Sequence, residues 1–141
     1  MSHGRVLIDA GPLVAIVNRL DAYHERCTAQ LTLLRAPLLT CWPVVAEAFY
    51  LVRRNKAAVS GLFRGFAEKV WEIAPIGSES LPWLERFMKR YHDLGAQLAD
   101  ACLVYLAERE GMDSVFTLDN RDFSVYRFGK NRHLKIFPAP E

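Results

Sequence analysis

The sequence predicts an α/β fold, a three-layer α/β/α sandwich around a mainly parallel central sheet of four to five strands. Three observations predict it. Short apolar runs rich in β-branched residues alternate with longer segments of helical periodicity, the pattern of a parallel sheet wrapped by helices. The chain has 141 residues, which fits one compact domain spanning 1–141. Hydrophobic residues make up 51% and charged residues 24%, a globular balance that excludes disorder. No internal repeat, low-complexity stretch or linker interrupts the alternation.

Arg5-Val6-Leu7-Ile8-Asp9 is a short apolar run and reads as a buried first strand. Ala10-Gly11-Pro12 follows, with Pro12 suited to the first helical position of a helix running from Leu13 to Asn18. A second helix is expected over Tyr23 to Leu34. Pro37 to Cys41 reads as the second strand, and Pro43 suits the first turn of a helix from Val44 to about Arg54. Ala57 to Val70 is a further helix, with Leu62, Phe63, Phe66 and Val70 on one side. Leu62, Phe63, Phe66 and Trp71 are expected in the core, with part of the group available to a partner chain.

Trp71 to Ile76 reads as a short third strand. Glu79 to Tyr91 is helical, and Leu81, Leu84, Phe87 and Met88 mark its apolar side. Ala96 to Glu110 is the clearest helix, closed by Gly111. Ser114 to Leu118 is the fourth strand, and Leu134 to Phe137 a short last one before a Pro-rich end.

Several function classes are excluded or disfavoured. No apolar run approaches the ~20 residues needed to span a bilayer. The start, Met1-Ser2-His3-Gly4-Arg5, leads straight into a strand and carries no signal-peptide core. Cys27, Cys41 and Cys102 are odd in number and form no CxxC, so they read as small buried residues of a reducing compartment. His3, His24, His92 and His133 offer no zinc-ligand spacing. A formal net charge of +2 is too weak to announce nucleic-acid binding by itself.

The placement of the acids carries the chemistry. Asp9 ends the first strand and Asp119 the fourth. Glu47 lies in the first turns of the helix after the second strand, and Asp100 early in the long helix. Carboxyl ends of parallel strands and the starts of the following helices share one edge, so these four acids can converge on one pocket. Asp100 is the sharpest case, because Leu98, Ala99, Ala101, Cys102, Leu103 and Val104 wrap much of its helix. An acid so placed is costly unless it is paired or binds a metal. Gathered carboxylates repel until a cation or proton relieves them, and hard oxygen ligands suit Mg²⁺ or Mn²⁺. That chemistry fits phosphodiester hydrolysis. Singly, Asp9 serves equally as a helix cap, Glu47 as a first-turn acid and Asp119 as a turn residue; the coincidence of all four outweighs these readings.

The motifs resemble a known family. Leu7-Ile8-Asp9-Ala10-Gly11-Pro12-Leu13-Val14-Ala15 resembles the opening motif of PIN domains, and Val45-Ala46-Glu47 the second. Leu98-Ala99-Asp100-Ala101 resembles the third, and Phe116-Thr117-Leu118-Asp119 with Asp122-Phe123 the fourth. The resemblance spans essentially the whole chain, and its length and layout look most like the toxins of VapBC-type toxin–antitoxin pairs. It implies a metal-dependent endoribonuclease using Mg²⁺ or Mn²⁺, with metal held by Asp9, Glu47, Asp100 and Asp119 and with 5′-phosphate and 3′-hydroxyl products. It also implies a cytoplasmic homodimer, an RNA substrate and a cognate antitoxin whose tail lies across the active-site groove.

One departure stands out. Many PIN domains carry Ser or Thr just after the first acid, where this chain has Ala10 and Gly11. Thr117 keeps a hydroxyl near the fourth acid. Asp93 reads either as a supporting acid or as a helix cap, and Asp122 either as a fifth pocket acid or as a partner for Arg121. Arg53, Arg54 and Lys56 form one basic cluster; Arg121, Arg127, Lys130, Arg132 and Lys135 form another. Either could track an RNA backbone.

Rival enzymes fit less well. A haloacid-dehalogenase-type phosphatase wants a second Asp where Gly11 stands, and a receiver-type domain wants an acid at the third-strand end, where the chain reads Ile76-Gly77-Ser78. The stronger alternative is a catalytically inactive PIN-fold module that binds RNA or protein. The lost hydroxyl favours it, and retention of all four acids opposes it.

Overall fold

The computed structural model describes residues 4–139; residues 1–3 of the opening segment and 140–141 of the Pro-rich end lie outside the described residues. Five strands form one parallel sheet in the order β3-β2-β1-β4-β5. They are β1 (Leu7–Ile8), β2 (Leu38–Thr40), β3 (Trp71–Ile73), β4 (Ser114–Phe116) and β5 (Lys135–Phe137). Among the described residues, the helices flanking them are α1 (Ala10–Val17), α2 (His24–Leu31), α3 (Trp42–Val52), α4 (Lys56–Ala67), α5 (Leu81–Arg90), α6 (Leu98–Glu110) and α7 (Asn120–Phe123). Among the described residues, no helix is long and apolar enough to cross a membrane.

β1 and β4 lie side by side, with Leu7 opposite Val115 and Ile8 opposite Phe116. The chain winds from β1 outward through β2 and β3, then crosses back to β4 on the other side of β1. The order therefore reverses between β1 and β4, the crevice where ligands bind in open parallel sheets. Leu7, Ile8, Val115 and Phe116 are fully buried, as near-continuous apolar strands of a covered parallel sheet should be. They belong to one core that runs from Val6 to Leu134.

The predicted elements are all present, and most are shorter than the apolar runs that announced them. Strand pairing stops where the chain must turn into the next helix. The first strand ends at Ile8 because the Asp9 carboxylate accepts the Ala10 N–H at 2.8 Å and caps α1. Pro12 is consequently the third helical residue rather than the first, and it is tolerated there because first-turn N–H groups have no intrahelical acceptor. The third strand ends at Ile73, not Ile76, where its pairing to β2 ends. A 3₁₀ turn at Ser78–Ser80 precedes α5, so that helix starts at Leu81 rather than Glu79. α6 starts at Leu98, with Gln97 as its N-cap residue, and Gly111 ends it in the left-handed conformation at φ +67°.

α7 is an element the sequence reading did not contain. Four residues are too few to show a period, and Asp119 nucleates the turn by accepting the Asp122 N–H at 3.1 Å. Of the apolar group around α4, Leu62 and Trp71 are buried, whereas Phe63 is exposed. The three cysteines are free and buried.

Candidate active site

Asp9, Glu47, Asp100, Asp119 and Asp122 line one open cleft of about 480 Å³ at the β1/β4 crevice, together with Ala10, Gly11, Gly95, Gln97 and Leu118. Asp9 directly follows β1, whereas Asp119, expected to end the fourth strand, lies three residues past the neighbouring β4 as the N-cap of α7. α3 and α6 pack together and deliver Glu47 and Asp100. Glu47 is the sixth residue of α3, beyond the first turn where a helix dipole acts, so dipole stabilisation does not account for it. Asp100 is the third residue of α6, so the N-terminal dipole of that helix favours its charge.

Asp100 is 9% exposed, while Leu98 before it is 50% exposed. The apolar wrapping of the acid thus comes from Ala99 and the residues that follow, not from Leu98. Its Oδ2 accepts the Tyr126 hydroxyl at 2.7 Å. Asp9 is fixed on both oxygens: Oδ1 accepts the Ala10 N–H, and Oδ2 accepts the Thr117 hydroxyl at 2.8 Å. The Thr117 oxygen in turn accepts the Asp119 N–H at 3.0 Å. One hydroxyl therefore ties the β1 acid to the β4 acid.

The electrostatics are those of crowded carboxylates. Burial pushes Asp9 up to about 6, the Thr117 and Ala10 hydrogen bonds pull the other way, and the charges of Glu47 and Asp119 push up again. Burial likewise raises Asp100 to about 6, opposed by the Tyr126 hydroxyl and reinforced by Asp9, Asp119 and Asp122. Glu47 is raised by burial and then by Asp100. Asp122 is raised by burial and by Asp119 beside it. The Tyr126 phenol is raised too, by burial and by its bond to Asp100, so it stays protonated and donates.

Asp100, Asp119 and Asp122 each offer a carboxylate oxygen within 4.8 Å of the others. An all-oxygen set of this kind matches a hard divalent cation. Asp122 is therefore part of the acidic cleft, and the charge of neighbouring Arg121 offsets only part of the upward push on its carboxyl. Asp93 is elsewhere: it is exposed in the 3₁₀ turn His92–Leu94 and lines a separate shallow groove with Glu85, Met88, Lys89, Arg90 and His92. Arg53 and Arg54 are exposed at the end of α3, where the Arg53 guanidinium lies 4.0 Å from the centre of the Tyr50 ring. Arg121 is exposed on α7, and Arg127 lines a different groove. Nothing in the sequence singles out Tyr126 as a site residue. Its only signal was a three-residue offset from Phe123, which speaks of packing and not of an acid partner.

The fold and this cleft define a small parallel α/β protein with an acidic site at the switch point of its sheet, and comparison with known proteins gives it a family. The PIN-domain family profile matches residues 6–129, and the chain belongs to the PIN-domain family. It is 31% identical over 124 residues to Ribonuclease VapC26 of Mycobacterium tuberculosis, covering 86% of this chain and 92% of that protein. The fold is that of VapC20 of the same organism, a toxin that cleaves the sarcin–ricin loop. The TM-score is 0.76 at 17% identity, covering 90% of this chain and 98% of the other.

Proposed function

We propose that this protein is a metal-dependent endoribonuclease and the toxin of a type II toxin–antitoxin pair. The observation that carries the proposal is the meeting of five carboxylates at the sheet's switch point in a chain related to a VapC ribonuclease. Asp100, Asp119 and Asp122 would hold Mg²⁺ or Mn²⁺, with Asp9 and Glu47 completing the acidic wall. Such an ion, when bound, supplies Lewis acidity towards a phosphoryl oxygen and acidifies water.

The chain's own groups prepare that site. Tyr126 holds one Asp100 oxygen, which fixes the carboxylate's rotation. Thr117 holds Asp9 and at the same time positions the Asp119 backbone. In this way Thr117 brings a hydroxyl to the first acid from across the sheet, although Ala10 and Gly11 follow that acid in sequence. This supports the catalytic reading over the inactive binding module. The single core supports treating the described chain as one domain. The reading carries with it a cytoplasmic location, a cognate antitoxin and a homodimer. The exposed Trp42, Tyr50, Leu51 and Phe63 are apolar area suited to such partners.

The test compares wild type and Asp100→Asn on structured and unstructured RNA with Mg²⁺, Mn²⁺ or EDTA. Metal-dependent cleavage that disappears in the variant supports the proposal. Equal activity in both proteins would sink it.

A further inference from the structure

We propose that a basic groove between α5 and the turn after α7 is a second binding site for the RNA strand, taking phosphates and one base beside the cleaved bond. The occupant rests on the nuclease reading; the groove's chemistry is its own. It encloses about 320 Å³ and is lined by Trp83, Arg86, Arg90, Tyr91, Glu108 and Arg127, among others.

Arg86 and Arg90 are four residues apart on α5 and therefore share a face. Like charges at that spacing repel, and a bound anion relieves them. Arg127 stands on the opposite wall, where its Nη1 donates to the carbonyls of Ser124, Val125 and Tyr126 at 2.8–3.0 Å. Among the described residues, none of the three arginines has a carboxylate partner. The acid lining the groove, Glu108, is committed to other donors: Oε2 accepts the Trp83 indole N–H and Oε1 the Gly129 N–H, both at 2.8 Å. Glu108 thus braces the two walls, and its single charge against three arginines leaves the groove net positive. Trp83, stacked on Phe87 and in edge contact with Tyr105, stays partly exposed and offers its remaining aromatic surface to a base.

The groove adjoins the acidic cleft. Asp122 lines the cleft and Arg127 the groove, and the Tyr126 N–H bonds the Asp122 carbonyl, which places them a turn apart. Tyr126 reaches Asp100 through its hydroxyl, and its ring meets Tyr91 at 5.0 Å. Tyr91 in turn accepts the Arg127 N–H. The Asp122–Arg127 segment is therefore a wall common to the cleft and the groove, and a strand leaving the cleft over it meets Arg127 first.

Charge supplies the need for such a site. Five of the sixteen acids line the cleft, which leaves eleven against eighteen basic residues. A polyanion repelled by the cleft must be held beside it.

The experiment uses full-length wild type, Arg86→Ala/Arg90→Ala and Arg127→Ala. Binding of a fluorescein-labelled, single-stranded, mixed-sequence RNA is read by anisotropy in EDTA over a salt series. Each lost phosphate contact should lower the slope of log affinity against log salt by about 0.7, so the double variant should lose about 1.4. With Mg²⁺, KM for the same RNA should rise several-fold at unchanged kcat, while a dinucleotide too short to reach the groove should be cut at the parent rate. An unchanged slope and KM overturn the proposal, as does an equal loss on the dinucleotide. Weakened binding of a polyglutamate peptide with RNA binding intact overturns it in favour of a protein partner. If wild type binds RNA through these arginines yet cuts nothing, the groove stands and the nuclease reading falls. If wild type cuts and the variants match it, the reverse holds.

Discussion

Tyr126→Phe removes one oxygen from the site and should move the Asp100 titration midpoint upward. The Tyr126 hydroxyl donates to Asp100 Oδ2 at 2.7 Å and favours the ionised acid. Burial has already pushed that acid up to about 6. A hydrogen bond to a charged group contributes about 1.5–3 kcal/mol, and 1.36 kcal/mol corresponds to one pH unit, so its loss should raise the midpoint by about one to two pH units. The Phe ring keeps the contacts with Phe87, Tyr91 and Phe123, so the fold should survive. Carboxyl-carbon NMR of the metal-free variant, titrated against pH, reads the midpoint directly. A midpoint that stays put or falls would refute the argument that this bond holds Asp100 towards its charged form.

Three further outcomes follow from the same geometry. Asp9 and Asp100 titrate near 6 when folded and near 4 when unfolded. Their contribution to stability is therefore present below about pH 4 and lost as pH rises through about 6. Thermal melts in EDTA should show this fall between pH 4 and 7, and saturating Mg²⁺ should flatten it; identical curves with and without the ion would contradict metal binding by these acids. Thr117→Val keeps the shape but leaves Asp9 Oδ2 and the Asp119 N–H without their shared partner. About 1–3 kcal/mol is at stake, so the cleavage rate should drop at least several-fold, and an unchanged rate would remove Thr117 from the site. Gly65→Ala would drive a Cβ into the Trp71 ring, whose indole N–H donates to the Leu62 carbonyl. Overpacking there should cost about 1–3 kcal/mol and lower the melting temperature by several degrees, whereas an unaltered melt would mean the indole can swing aside.

Much of the architecture was legible because it is written in short-range patterns. Buried parallel strands announce themselves as apolar runs such as Val6-Leu7-Ile8, and α6 as a long apolar segment closed by Gly111. Element ends were less legible, since Asp9 turns the chain from β1 into α1 by capping the Ala10 N–H, and Asp119, three residues past β4, starts α7 by capping the Asp122 N–H. α7 left no period to read.

The site divides along the same line. Residue type and position along the chain were enough to single out Asp9, Glu47, Asp100 and Asp119, because a carboxylate at a strand end or amid apolar helix residues is informative without coordinates. Only the tertiary structure decided which groups meet them. The order β3-β2-β1-β4-β5 sets Thr117 against Asp9 across 108 residues of chain, and the turn after α7 sets Tyr126 against Asp100 across 26. It also decided that Asp122 joins the cleft while Asp93 does not. Helical and strand periods are properties of neighbouring residues, whereas partners, burial and the protonation of an acid depend on chain segments that only the folded crossovers bring together.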